Sequence, residues 1–157
     1  MRVLGIDFGQ RRIGLAISDP SGTLARPLMT LTVASLTDAL DRLSVEITRL
    51  VSDEDGLETV VVGLPIALDG SPTAATARTT AFMAALKARV PVTIVGGEER
   101  LSSREAESRL SLRERDWRRR KEKLDAAAAA VILQDYLNEQ RPRAEHDGAE
   151  DPDPDEE

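Results

Sequence analysis

Two apolar runs almost touch at the start of the chain, Val3-Leu4-Gly5-Ile6-Asp7-Phe8 and Ile13-Gly14-Leu15-Ala16-Ile17, with only Gly9-Gln10-Arg11-Arg12 between them. A short apolar run bounded by glycine reads as a buried strand. So short a connection folds the pair into a tight hairpin. The first run ends on a carboxylate, and burying one is costly unless something pairs with it. Asp7 is therefore expected at the mouth of a sheet, beside a turn, where a metal ion or a phosphate can reach it.

The rest of the chain alternates between strand and helix patterns. Strands are expected over residues 2–8, 12–18 and 27–33, with Asp19-Pro20-Ser21-Gly22 as the turn between the second and third. Ser35-Leu36-Thr37-Asp38 resembles a capping box. It opens a helix with Leu36, Leu40, Leu43, Ile47 and Leu50 on one face, ended by Asp53-Glu54-Asp55-Gly56. The β-branched run 59–62 predicts a buried strand closed by Gly63-Leu64-Pro65. Asp69-Gly70 makes a turn, and Ser71-Pro72 is expected to cap a second helix that carries Phe82, Ala85 and Leu86 and ends near Val90. Residues 91–95 read as a strand stopped by Gly96-Gly97. A short helix from about Ser103 and a long alanine-rich helix over 124–140, opened by Asp125, complete the pattern.

The order βββαβαβα predicts an α/β fold, a five-stranded mixed sheet with helices on both faces. In such sheets functional groups gather at the carboxyl ends of the central strands. Three separate segments each bring a carboxylate there: Asp7 after strand one, Glu98 and Glu99 after strand five, and Asp125 on the last helix.

Composition narrows the chemistry. The chain has 157 residues, enough for one domain with a substantial core. It has no cysteine and a single histidine, His146, in a polar tail, which excludes disulfides, zinc–thiolate sites and a histidine triad. Hydrolysis must then rest on carboxylates, hydroxyls, Lys or Arg. No apolar stretch reaches membrane-spanning length and no signal-peptide pattern is visible, so the expected location is cytoplasmic, with no membrane partner. The net charge of −7 is misleading, because residues 144–157 hold eight acids and no Lys or Arg. That segment reads as a disordered acidic tail on a domain spanning 1–143. The remaining body is near neutral, with a basic stripe over 113–123 of seven bases against three acids. Local field outweighs total charge, so nucleic acid is an eligible partner.

With these residues assembled, the chain resembles a known family. Four segments carry the resemblance, in order and spacing: Gly5-Ile6-Asp7-Phe8-Gly9-Gln10-Arg11-Arg12-Ile13-Gly14, Val62-Gly63-Leu64-Pro65, Glu98-Glu99-Arg100-Leu101-Ser102, and Lys123-Leu124-Asp125-Ala126-Ala127 through Val131-Ile132-Leu133-Gln134. They are similar to the YqgF-type pre-16S rRNA nucleases, also described as Holliday junction resolvases, of the ribonuclease-H-like superfamily. The resemblance covers about residues 1–140. Where the family usually has Asp-Glu-Arg this chain has Glu98-Glu99-Arg100, so Glu99 is the matched acid.

The resemblance implies a ribonuclease-H-like fold with catalytic, metal-holding carboxylates at Asp7, Glu99 and Asp125. It implies Mg2+ or Mn2+ as cofactor, in a two-ion site bridged by Asp7. Such ions stabilise the attacking and leaving oxygens of an in-line displacement, and hard cations take oxygen ligands, which suits a chain without cysteine. The products implied are a 5′-phosphate and a 3′-hydroxyl. Arg11, Arg12, Arg100, Arg118, Arg119, Arg120 and Lys121 are expected to hold backbone phosphates, contacts that read shape more than sequence. With aromatics at 3% of the chain, a base-stacking platform is not expected. The implied function is 5′-end processing of precursor 16S rRNA, with the ribosome as a further partner. The alternatives are resolution of four-way DNA junctions or a non-catalytic nucleic-acid-binding module. Symmetric junction cleavage calls for a homodimer, whereas a monomer suffices for RNA processing.

Overall fold

The computed structural model describes residues 1–99 and 117–141, apart from the side chains of 117–121. Its elements are β1 (Arg2–Phe8), β2 (Arg12–Ser18), β3 (Ala25–Thr32), α1 (Leu36–Ser52), β4 (Leu57–Pro65), α2 (Ala74–Lys87), β5 (Thr93–Glu99) and α3 (Trp117–Glu139). The strands form one mixed sheet in the order β3-β2-β1-β4-β5. Short turns make β1, β2 and β3 successively antiparallel. The helical crossovers through α1 and α2 bring β4 beside β1 and β5 beside β4 in parallel. The expected βββαβαβα sheet with helices on both faces is the one observed.

Strand alternation sorts the side chains into two unlike faces. Leu4, Ile6, Ile13, Leu15, Ile17, Val60 and Val62 pack beneath α1 and α2, against Leu40, Leu43, Ile47, Phe82 and Leu86. Fully burying a side chain of that size is worth about 1.5–3 kcal/mol, so this side supplies most of the cohesion. On the opposite face Val3, Ala16 and Val61 meet Ala129, Ile132, Leu133 and Leu137 of α3. That face is floored by small residues. A Cβ at Gly5 would stand 2.7 Å from the Leu133 Cβ and 2.9 Å from the Ala129 carbonyl oxygen, and one at Gly14 would overlap the Asp125 carbonyl.

Local signals explain the helix ends. The Ser35 hydroxyl accepts the Asp38 N–H at 3.1 Å, and the Asp38 carboxylate accepts the Ala34 N–H at 2.9 Å, so the box closes one residue upstream of its usual position. At the far end of α1, Arg2 donates to the Leu50 and Gly56 carbonyls and pairs with Asp53 at 3.2 Å. A carbonyl of the last helical turn and one in the turn beyond it are thereby satisfied by a buried cation.

Five elements differ in their boundaries from the sequence expectation, β3 running Ala25–Thr32 instead of 27–33. β4 is longer than residues 59–62 because both flanking strands offer it a ladder. α2 starts at Ala74, capped by Thr73, while Pro72 instead forms a bridge with Ile66. β5 does not stop at Gly96-Gly97: those glycines pair with Val62 and Gly63, and the strand carries Glu98 and Glu99 itself. α3 begins at Trp117, not at residue 124, since Arg, Lys and Glu favour helix. Asp125 thus lies about two turns inside α3 and does not open it. The short helix expected near Ser103 and the acidic tail lie outside the described residues.

Gly14→Ala should unfold the protein at markedly lower urea, because the obstructing atoms are helix backbone and cannot rotate away. The expected loss is at or above the upper end of the roughly 1–3 kcal/mol typical of overpacking. An unchanged denaturation midpoint would show that α3 can lift off β2 without cost.

Candidate active site

Asp7 is the penultimate residue of β1 and points to the α3 face, as Val3 and Gly5 do. Its partner on β2 is Gly14. Since Gly14 lies directly under the Asp125 backbone, the missing side chain is what lets Asp125 come down beside Asp7. On the other side, the register Ile6–Val62 puts Gly63 next to Asp7. Glu99 ends β5, paired with Pro65, and its carboxylate folds back over the strand: Oε2 would be 3.0 Å from a Cβ at Gly63. Asp7, Glu99 and Asp125 therefore converge across β2, β1, β4 and β5, over positions where the intervening residues carry no side chain.

Alternation separates the two adjacent glutamates. Glu99 shares its face with Gly97, which lies under Ile132 of α3. Glu98 is exposed and shares its face with Gly96, which lies against Met83 of α2.

Electrostatics follow from this crowding. Asp7 is half-buried. Loss of solvent first, and then the negative charges of Glu99 and Asp125, push its carboxyl up from 3.8 to about 7. Asp125 is relieved by Arg12, whose Nε lies 2.7 Å from Oδ2. Three oxygen-only acids, one of them with its carboxyl pushed up by burial and by its two acidic neighbours, fit a hard divalent cation. Among the described residues no three acids already stand close enough together to share one ion.

The expected phosphate-binding residues fare differently. Arg11 is exposed on the hairpin between β1 and β2, and its carbonyl is fixed by the Val33 N–H at 2.8 Å. Arg12 is engaged with Asp125. Arg100 lies outside the described residues, as do the side chains of Arg118, Arg119, Arg120 and Lys121, whose backbone forms the start of α3. A cavity of about 290 Å³, lined by Phe8, Gln10, Leu36, Arg78 and Phe82 among others, sits on the α1/α2 side, away from the acids.

Residues 1–139 match the model of the family described as RuvX, Holliday junction resolvase. The chain belongs to this family. It is 39% identical over 137 residues to a protein of Maridesulfovibrio salexigens, covering 87% of this chain and 98% of that one. It is 44% identical over 140 residues to one of Leifsonia xyli, covering 88% and 86%. Both relatives bear the name "Putative pre-16S rRNA nuclease". Among solved structures, the fold resembles Thermus thermophilus RuvC in complex with a Holliday junction substrate, at a TM-score of 0.52 and 16% identity, covering 89% of this chain and 96% of that one. It also resembles Fowlpox virus resolvase in complex with Holliday junction DNA, at a TM-score of 0.54 and 10% identity, covering 90% and 100%. The sheet is thus the resolvase type of ribonuclease-H-like fold.

Sequence reasoning missed two features of this candidate site. Gly63 reads as part of a loop, yet it lies within β4 and opens the lane for Glu99. Arg12 reads only as a phosphate ligand, yet it pairs with Asp125, a partner 113 residues away that no local pattern announces.

The raised pKa of Asp7 has a consequence for stability. The folded protein holds a proton that the unfolded chain releases at 3.8, so stability falls as pH rises from about 4 to 7 and is level above that range. Without divalent ions, Asp7→Asn should therefore stabilise the fold by about 2–4 kcal/mol at pH 8, less at pH 5, and not at all below pH 4. Urea denaturation in chelator at the three pH values checks this. A pH-independent difference would mean that Asp7 is not under the strain described.

Proposed function

We propose that this chain is a divalent-metal-dependent nuclease that hydrolyses phosphodiester bonds in structured nucleic acid, with the 5′ end of precursor 16S rRNA as its substrate. The observation that carries the reading is the convergence of Asp7, Glu99 and Asp125 at one end of the sheet. Family membership and the names of the relatives support it.

In this reading Asp7, Glu99 and Asp125 would hold Mg2+ or Mn2+. Bound there, such cations neutralise the scissile phosphate and lower the pKa of the attacking water. The chain's own residues do the rest. Asp7 gives up the proton that burial and its acidic neighbours favour. The sheet fixes Asp7 and Glu99 on rigid strands, which keeps the acids within the tolerance that catalysis demands. Arg11 and Arg12 on the hairpin, with Arg100, Arg118, Arg119, Arg120 and Lys121, would hold the backbone on either side of the cut and position it without reading sequence. The catalytic domain would span residues 1–143, with 144–157 an acidic tail outside it. No described helix is long and apolar enough to cross a membrane, and the proposed setting is the cytoplasm, at the ribosome.

A second reading has a specific observation behind it, the family's description as a Holliday junction resolvase. Cutting a four-way DNA junction symmetrically needs two active sites and so a homodimer, whereas a monomer suffices for trimming RNA.

The two substrates should be offered in parallel, a precursor rRNA helix and a four-way DNA junction, with Mn2+ present. Losing one charge-stabilising group typically costs about 10²–10³-fold in kcat, so Asp7→Asn, Glu99→Gln and Asp125→Asn should each fall at least that far. Glu98→Gln, on the other face, should cleave like the parent. Parental activity in Asp7→Asn would overturn the mechanism, and equal damage from Glu98→Gln would overturn the assignment of Glu99. The preferred substrate, read with the molecular mass in solution, decides between the two readings.

A further inference from the structure

The contact between Arg12 and Asp125 is more particular than an ordinary ion pair. Arg12 opens β2 at the close of the hairpin, and its backbone is tightly held. Gly9 N–H donates to the Arg12 carbonyl at 3.0 Å, and the neighbouring Arg11 carbonyl accepts the Val33 N–H at 2.8 Å. A Cβ at Gly9 would stand only 2.5 Å from the Arg12 carbonyl oxygen, so the turn closes this tightly only with glycine there. The side chain, about a third exposed, reaches Asp125 with Nε alone, 2.7 Å from Oδ2. A guanidinium has five N–H donors in a planar fork. One is spent on Asp125, and the two terminal nitrogens have no protein partner among the described residues. Those terminal nitrogens are the edge that grips a phosphate in bidentate fashion.

Arg12 thus touches one of the three proposed cation-holding acids, and among the described residues nothing occupies its phosphate-binding edge. The two roles conflict once a divalent cation arrives. A cation on the Asp125 carboxylate and a guanidinium on the same group repel each other in a partly desolvated place. We propose that Arg12 is an exchangeable counter-ion: it neutralises Asp125 until a divalent cation takes that carboxylate, and then turns its fork onto a backbone phosphate of the nucleic acid. This rests on the metal-site reading given above and adds a coupling to it. By linkage, cation and nucleic acid strengthen each other's binding through Arg12 by the same factor in either direction. In the empty protein Arg12 offsets the charge of Asp125, and the cation is held firmly only when a phosphate is present to receive the displaced arginine.

The test measures binding, not cleavage. Mn2+ is titrated calorimetrically into the full-length protein. Separately, a fluorescein-labelled, phosphorothioate-substituted RNA hairpin is bound with and without Mn2+ and followed by anisotropy. Arg12→Gln should bind Mn2+ alone about fivefold more tightly than the parent, and the gain in RNA affinity that Mn2+ confers should drop from about tenfold to near one, within the usual range of such couplings. Arg12→Lys, which keeps the charge and loses the fork, should compete with Mn2+ yet recover only part of the RNA gain. Arg11→Gln removes the same charge without the contact and should leave Mn2+ affinity unchanged. If Arg12→Gln binds Mn2+ no more tightly than the parent, or if Arg11→Gln tightens it equally, the exchange does not occur. A thermal melt of each variant shows whether weaker binding reflects lost folding, in which case Arg12→Lys decides. Asp7→Asn separates the two levels. If it still binds Mn2+ like the parent, the metal-site reading fails. If it loses Mn2+ while Arg12→Gln changes nothing, only the role of Arg12 fails.

Discussion

The close seating of α3 on the sheet is the contact on which the acidic site depends. It requires both surfaces to be thin. On the sheet, Gly5 and Gly14 leave no room for a single methyl group beneath the helix, and Ala16 fills the next position on β2. On the helix, Ala126 and Ala129 face inward among the fully or nearly fully buried residues. Small residues release little free energy on burial, so this contact is weak for its area and is secured by Ile132, Leu133 and Leu137 further along α3. The other face, with its Leu, Ile and Phe side chains, has the opposite design. One side of the sheet holds the molecule together, and the other brings backbones near enough for three distant acids to meet.

Bringing those acids together stores electrostatic cost, and the fold distributes it unevenly. Asp7, in the centre and least hydrated, carries the cost as a carboxyl pushed up to about 7. Asp125 is paired with Arg12, at 2.7 Å. Glu99 reaches inward from the end of β5 over a glycine, so its carboxylate keeps partial exposure. Such strain costs stability wherever no cation offsets it, and its persistence in a buried place is a mark of function more than of architecture. A cation held by these carboxylates would offset that cost.

Much of this was legible in the chain, for identifiable reasons. Asp7 stood out because an acid at the end of an apolar run contradicts its surroundings. The strand order followed from period-two and period-3.6 patterns that strong cores impose. Glu99 was found by its place in an ordered set of motifs, yet its face could not be read, because Gly96-Gly97 signals a strand end and the continuing ladder comes from β4, far away in sequence. The helix starts earlier than its alanine-rich part suggests, because the basic stripe before it carries no apolar periodicity and only its propensity argues for helix. Gly14 gave no sign of its importance. A glycine within a strand suggests a bulge or a close approach, and nothing local says which backbone approaches.

If Arg12 leaves Asp125, something else must keep α3 in register, and Gln134 is placed to do so. Its side-chain oxygen accepts the Ala25 N–H at 2.9 Å, and its amide nitrogen donates to the Thr23 carbonyl at 3.0 Å. These bonds tie the middle of α3 to the turn between β2 and β3, about two and a half helical turns from Asp125. They are neutral, so neither a cation nor salt competes with them directly, in contrast to the ion pair. They also satisfy an N–H on β3, an edge strand that would otherwise leave it open. With the Thr30 hydroxyl donating to the Glu122 carbonyl near the start of α3, the helix is held by neutral bonds at both ends of this contact, and the charged contact at the acids can open without freeing the helix. A site that must exchange one cation for another needs this separation, because a helix held only by the exchangeable contact would move each time the site was filled.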